Sequence, residues 1–205
     1  INIAEKRIPQ DGKFTGMFEG RIIDFRVSTF PSLYGEKVVI RILDRTAQAI
    51  SLDHLGFLPA MQEAFKQLIF RPHGFFLVTG PTGSGKTTTL NALFCFLPKD
   101  ERVIVAEETP ELTLPQTHTI KLNTAEQVNV NLGTLIDNTF RMRPDRVIVG
   151  EIRNKEEANA FVNTMLAGQA RGSYATFHAE SAIEAIQRLK SFGIEEKVLA
   201  SIDLI

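Results

Sequence analysis

This sequence predicts an α/β fold: a P-loop domain with a mostly parallel sheet, preceded by a partial, small β-rich (α+β) N-terminal domain. Three observations predict it. The octapeptide Gly80-Pro81-Thr82-Gly83-Ser84-Gly85-Lys86-Thr87 fits the pattern G-x-x-x-x-G-K-[ST], between an apolar run and a breaker-free helical stretch. Beyond residue 70, strand-like and helix-like segments alternate, as in parallel strands joined by crossover helices. Before about residue 50 the pattern is strand-like throughout.

Each element follows from local pattern. Residues 14–18 and 21–27 flank Glu19-Gly20, a hairpin turn, and 37–43 form a further β-rich run. The character changes between Ala47 and Gly56, which divides the chain into a partial N-terminal domain, 1–50, and a P-loop domain, 51–205. Pro59 opens a helix to about Phe70, with Met61, Ala64, Phe65 and Leu68 at helical spacing, and Arg71-Pro72-His73-Gly74 breaks it. Strands near 75–79, 102–106, 146–150 and 173–177 then alternate with helices near 87–97, 132–142, 155–167 and 181–191. Ser181-Ala182-Ile183-Glu184 is a capping box opening the last of these. The chain opens on Ile1 and closes on Ile205 within an apolar helical pattern, so it reads as a C-terminally truncated fragment of a longer protein.

Bulk composition narrows the function classes. Hydrophobic content of 43% and charged content of 23% are those of an ordinary soluble globular protein. A formal net charge of −1 gives no support for broad electrostatic binding to nucleic acid or anionic membrane. No apolar stretch approaches the ~20 residues that span a bilayer. The lone Cys95, within Leu93-Phe94-Cys95-Phe96-Leu97, reads as a core filler rather than a nucleophile. A single cysteine permits no internal disulfide, which suits a reducing, cytoplasmic setting.

The glycine loop carries the first chemistry. Backbone N–H groups at a helix N-terminus point at a polyphosphate, and the helix dipole favours its charge. Gly80, Pro81, Thr82, Gly83, Ser84, Gly85, Lys86, Thr87 and Thr88 are therefore the candidate nucleotide-binding residues. Lys86 adds a positive charge near the β- and γ-phosphates, and the Thr87 hydroxyl is placed to ligate Mg²⁺. Such a chain binds a nucleoside triphosphate. Arg146 to Gly150 is an apolar strand closing on Glu151, where a metal-linked or water-polarising acid belongs; a plain surface glutamate is the alternative. Val103-Ile104-Val105-Ala106 leads into Glu107-Glu108, with Glu111 just beyond: a cation-supporting cluster or a solvated acidic turn. His178 follows the strand through Thr176-Phe177, at the sheet edge where ligands of open α/β sheets bind, although a strand-end histidine alone is more often structural.

Taken in order, the P-loop, Glu107-Glu108-Thr109-Pro110-Glu111, the run Arg141-Met142-Arg143-Pro144-Asp145-Arg146-Val147-Ile148-Val149-Gly150-Glu151-Ile152-Arg153, and Thr176-Phe177-His178-Ala179 resemble the secretion ATPase superfamily. These are the hexameric motors of type II and type IV secretion, type IV pili and archaeal flagella. Upstream, Arg7-Ile8-Pro9-Gln10-Asp11-Gly12 and the stretch from Asp24 to Arg41 are also similar, so the resemblance covers about residues 4 to 190. It implies a RecA-like P-loop domain and a Mg²⁺-dependent ATPase. Glu107 to Glu111 fall on the family's aspartate box, Glu151 on its Walker B glutamate, which positions water, and His178 on its histidine box. It further implies that Thr87, Glu108 and Glu151 serve the metal, and that Arg26 and Arg41 are presented to nucleotide by the smaller domain. A guanidinium supplied in trans would neutralise charge on the transferring phosphoryl and couple subunits; Arg141 and Arg143 would sense phosphate or stiffen the subunit interface.

The resemblance implies a homo-hexamer on an inner-membrane platform protein, at the cytoplasmic face of the membrane, powering secretion or filament assembly. There are departures. Glu108 stands where aspartate is common, Gln169 where many members carry histidine, and nothing matches the four-cysteine zinc module of some members. A GTPase reading fails because Asn154-Lys155-Glu156-Glu157 lacks the aspartate of a guanine reader. An ABC-type reading fails because Leu166-Ala167-Gly168-Gln169 is a partial likeness on the wrong side of the Walker B strand. A DNA-handling ring motor, which the near-neutral charge disfavours, and a nucleotide-gated assembly module with weak hydrolysis remain as alternatives.

Overall fold

The computed structural model describes all residues except 45–51, 72, 126–128 and 169. The expected domain boundary at 50, Pro72 of the breaker and the Gln169 departure lie outside the described residues. Two compact units divide the chain, Ile1–Gln48 and Ala49–Ile205.

The first unit is an antiparallel meander of β1 (Gln10–Phe18), β2 (Arg21–Ser32) and β3 (Gly35–Asp44), in the order β1-β2-β3. Glu19 and Gly20 both take positive φ, 48° and 76°, the type I′ geometry whose twist matches two flanking strands. Register then assigns the two faces. Phe14 pairs with Phe25 and Phe25 with Ile42, placing aromatic and branched residues together; the Phe14 and Phe25 rings stack at 4.7 Å. One residue along, Lys13 pairs with Arg26 and Arg26 with Arg41, so the opposite face carries the charge.

The second unit is a five-stranded, wholly parallel sheet in the order β4-β8-β7-β5-β6. Its strands are β4 (Phe75–Thr79), β5 (Arg102–Glu107), β6 (His118–Asn123), β7 (Arg146–Ile152) and β8 (Gly172–Phe177). The helices are α1 (Pro59–Ile69), α2 (Lys86–Phe94), α3 (Leu132–Thr139), α4 (Lys155–Leu166), α5 (Ala182–Ser191) and α6 (Glu196–Leu199). Alternate strand residues feed two cores. Phe76, Val103, Val105, Ile148 and Tyr174 pack with Ile69, Leu90 and Phe94 of α1 and α2. Phe75, Leu77, Ala106, Val149 and Phe177 pack with Ile136, Phe161, Ala185 and Leu189 of α3, α4 and α5. Burial on both faces explains why β8 is buried along its whole length.

Side-chain caps set the helix starts where the sequence offers them. Asn131 accepts from Thr134 N–H at 2.8 Å, Asn154 from Glu157 N–H at 3.0 Å, and Ser181 from Glu184 N–H at 3.2 Å. Some elements differ from expectation. α2 ends at Phe94 and runs through turns to Pro98; α3 ends at Thr139 and tightens into a single 3₁₀ turn, Phe140–Met142. β6 is not announced by the sequence, and the helical pattern expected up to Ile205 yields only the four-residue α6, because Leu204 pairs with β4 instead. The mixed run His118-Thr119-Ile120-Lys121-Leu122-Asn123 is half-exposed at the sheet edge, so no apolar run announces it.

Two further contacts frame the sheet. At the edge where the strands begin, Arg146 is 3% exposed; its Nε reaches Glu101 Oε2 at 2.9 Å and its Nη1 reaches Tyr174 Oη at 2.8 Å. Burial pushes the Tyr174 phenol up to about 12, and nearby Arg146 only partly offsets it. Beside β4, Asp203 and Leu204 pair in parallel: Leu77 N–H donates to Leu204 O at 3.0 Å, and Asp203 Oδ2 accepts from Phe75 N–H at 2.9 Å.

Candidate active site

All five parallel strands end at the same sheet edge, and β4, β5, β7 and β8 bring the P-loop, the acidic candidates and His178 there. β4 runs into the loop 80–85 and α2 leaves it. Gly83 and Gly85 take φ of 83° and 93°, the left-handed region a side chain would strain. A Cβ at Gly80 would come within 2.4 Å of Ser84 Oγ, so the loop closes on itself there. Thr89 N–H makes an early helical bond to Gly85 O at 2.8 Å, while the first-turn amides lack intrahelical partners, the arrangement that receives an anion. Lys86 folds over the loop, with Nζ at 2.9 Å from Gly80 O and 3.1 Å from Pro81 O. Thr87 and Thr88 lie in the first turn of α2, and Thr87 Oγ1 is 3.4 Å from Glu111 Oε2.

Glu107 closes β5 and is only 3% exposed. Its Oε1 accepts from the backbone N–H groups of Glu111 and Leu112, both at 3.0 Å, which shapes the acidic turn. Its Oε2 is buried and receives no hydrogen bond among the described residues. Burial pushes the Glu107 carboxyl above the usual range; the two amides and Lys121 pull it down, and the Glu111 charge pushes it up. Across on β7, Gly150 leaves this carboxylate its space, since a Cβ there would lie 2.9 Å from Glu107 Cγ.

β7 extends to Ile152, so Glu151 stands inside the strand rather than after it. Val149 pairs with Ala175 and Ile152 with Phe177, so Gly150 and Glu151 together oppose Thr176 alone. Such a bulge re-aims a side chain at a sheet rim. Thr176 Oγ1 fastens the bulge by donating to Gly150 O. Arg153 then bridges two candidate acids: its Nε donates to Glu151 Oε2 at 2.7 Å and its Nη1 to Glu108 Oε2. Burial opposes the guanidinium charge, but the Glu151 hydrogen bond and the two carboxylates outweigh it and raise its pKa. Glu157, 6% exposed, accepts the Arg153 backbone N–H at 2.7 Å and so fixes the turn into α4.

The P-loop, Glu107, Glu108, Glu111, Glu151 and His178 thus lie on strands and turns at one edge of the sheet. His178 follows β8 with its side chain exposed and its carbonyl accepting from Arg188. Arg141 and Arg143 precede β7, at the opposite edge of the sheet. Arg26 and Arg41 face each other within the N-terminal unit. Cys95 is half-buried, its Sγ is 3.6 Å from Asn91 O, and burial pushes its thiol up, which makes it a poor nucleophile. Arg153 and Glu157 were assigned no role from sequence. The spacing Glu151-x-Arg153 was the available signal, since alternate strand residues share a face; nothing local announces that Arg153 also reaches Glu108.

The oxygen donors suit a hard divalent ion. A hydroxyl beside a carboxylate and a buried, unsatisfied carboxylate oxygen are ligand types that Mg²⁺ accepts. Among the described residues no three His, Cys, Asp or Glu side chains converge, and an ion held chiefly by phosphates and waters needs no such cage.

Comparison with known proteins gives a consistent picture. The family profile described as type II/IV secretion system protein matches residues 1–205. Type II secretion system protein E of Klebsiella pneumoniae is 44% identical over 202 residues, covering 98% of this chain and 40% of that protein. Type II secretion system ATPase E of Vibrio cholerae is 42% identical, covering 98% of this chain and 39% of that protein. The chain therefore spans about two-fifths of these relatives. Among solved structures, the pilus retraction motor PilT with bound ADP superposes with a TM-score of 0.71 at 24% identity, covering 95% of this chain and 55% of that one. The Legionella pneumophila ATPase DotB gives 0.70 at 21%, covering 94% and 53%. These likenesses establish the RecA-like α/β fold.

Proposed function

This chain belongs to the type II/IV secretion system protein family, and from that premise we propose that it is the ATP-hydrolysing part of a ring-shaped motor for protein secretion or filament assembly. One observation carries the reading. The phosphate cradle, the buried Glu107, the Arg153-bridged Glu108 and Glu151, and His178 meet at one sheet edge.

The loop amides of 80–85 and Lys86 bind the phosphates of ATP. Lys86 Nζ exchanges the loop carbonyls of Gly80 and Pro81 for phosphate oxygens. Thr87, Glu108 and Glu151 would hold Mg²⁺, with Glu111 beside Thr87, and the ion would neutralise charge on the β- and γ-phosphates. Glu151, aimed by the bulge, positions the attacking water; Arg153 and Glu157 keep it oriented. Glu107 shapes the acidic turn through its two amide bonds. His178, at the tip of β8, links phosphate state to the position of the next domain. Arg26 and Arg41 act on the nucleotide of a neighbouring subunit in a hexamer, which works at the cytoplasmic face of the membrane with a platform protein.

Steady-state phosphate release from ATP and Mg²⁺, measured against protein concentration, tests this. Specific activity is expected to rise as rings assemble, and Glu151→Gln to lose about 10²–10⁴-fold in kcat while still binding nucleotide. Unchanged turnover in Glu151→Gln refutes its role. Nucleotide binding without turnover at any concentration would make the protein a nucleotide-gated assembly module instead.

A further inference from the structure

We propose that Lys13 is the third cation of a phosphate-recognising rung completed by Arg26 and Arg41. The inference rests on the reading above that this face meets the nucleotide of a neighbouring subunit. Register lays the rung out: Lys13 lies opposite Arg26 across β1 and β2, and Arg41 opposite Arg26 across β2 and β3. Three basic residues therefore share one face in a line perpendicular to the strands. With strands about 4.8 Å apart, the outer two Cα atoms are roughly 10 Å apart.

Like charges directly opposite one another destabilise a sheet, and this rung contains two such juxtapositions side by side. The rungs on either side are built differently. Asp11 pairs with Ser28 and accepts its hydroxyl, and Asp24 pairs with Thr15 and accepts its hydroxyl at 2.7 Å. Among the described residues, neither Lys13 nor Arg41 forms an ion pair, although acids lie one rung away on the same face. Lys13 and Arg41 are exposed and Arg26 is half-buried between them, on the face opposite Phe14, Phe25 and Ile42. A polyphosphate is the ligand that turns this repulsion into attraction. The guanidinium groups bind phosphate oxygens as forks, and an ammonium contributes a compact point charge.

The test is made in the full-length protein. Lys13→Gln is expected to lower kcat by about one to two orders of magnitude, the effect of removing one charge-assisted hydrogen bond. Nucleotide binding by dispersed subunits should stay at the wild-type value, because the P-loop is intact. The melting temperature should stay equal or rise, because a repulsive neighbour is gone. Lys13→Arg should restore most of the turnover, and mixing Lys13→Gln with Lys86→Ala should recover activity in mixed rings. Wild-type kcat in Lys13→Gln, with activity lost in Arg26→Gln and Arg41→Gln, overturns this proposal alone. Wild-type kcat in all three removes the underlying reading with it. Lost turnover with a lowered melting temperature and no rescue by arginine makes Lys13 a structural residue and also overturns the proposal.

Discussion

Gly150→Ala probes the fit between β7 and the buried carboxylate of β5. The new Cβ would stand 2.9 Å from Glu107 Cγ, 3.4 Å from its Cβ and 3.5 Å from its Cα. Unstrained carbon contacts lie at about 3.5–4.0 Å, so Cγ must retreat by more than half an ångström. Glu107 has little room, being 3% exposed with Oε1 tied to two backbone amides. Overpacking of this kind costs about 1–3 kcal/mol. Taking about 2 kcal/mol, and 2–4 °C per kcal/mol for a unit of this size, the melting temperature should fall by roughly 4–8 °C. Truncation to Glu107→Ala removes Cγ, and the nearest contact becomes the 3.4 Å one to Cβ, so alanine at 150 then fits with little cost. A double-mutant cycle followed by calorimetry should therefore show a coupling of about 1–2 kcal/mol, with the pair less destabilised than the sum of the singles. A Gly150→Ala protein that melts within about 1 °C of wild type, or strictly additive effects, refutes the packing argument.

Further expectations concern the same unit. The folded Glu107 carboxyl titrates above its ordinary value, so the native chain holds that proton more tightly than the unfolded chain. Its contribution favours folding at low pH and is lost as pH rises from the ordinary glutamate value through the raised one. Glu107→Gln, which keeps an oxygen for the amides of Glu111 and Leu112, should gain melting temperature relative to wild type as pH increases across that window. A difference constant with pH contradicts the burial assignment. Tyr174→Phe removes the oxygen that accepts from Arg146 Nη1 at 2.8 Å and leaves a buried guanidinium donor under-satisfied. It should cost about 1–3 kcal/mol while turnover per folded molecule stays at the wild-type value, because this contact lies at the edge away from the phosphate loop. Altered turnover with normal stability would place Tyr174 in the wrong role.

What the sequence revealed was what neighbouring residues encode. The glycine spacing, the apolar run ahead of it and the strand leading to Glu151 are local patterns; the first two form where expected, and the third runs on through Glu151 to Ile152. The turn at Glu19-Gly20 is legible for the same reason. What escaped was relational. β6 is a half-exposed edge strand whose polar residues give no clean alternation. The bulge at Gly150 and Glu151 exists only in the pairing of β7 with β8. The bridge from Arg153 to Glu108 joins residues 45 positions apart. Nor does the sequence show that the missing side chain of Gly150 is what admits the Glu107 carboxylate from the next strand.

The pairing of Asp203 and Leu204 with β4 carries a consequence for how the chain acquires its shape. β4 is the first strand of the larger unit, yet it is flanked by β8 and by residues 203–204, both made well after it. The bond from Phe75 N–H to the Asp203 carboxylate spans 128 positions. At about 5–20 residues per second, a growing chain displays the glycine loop on the order of ten seconds before both neighbours of its strand exist. Closing loops of that length is slow and is rewarded only by these late contacts. The strand that leads into the glycine loop, proposed above to hold phosphate, therefore gains both of its sheet partners late.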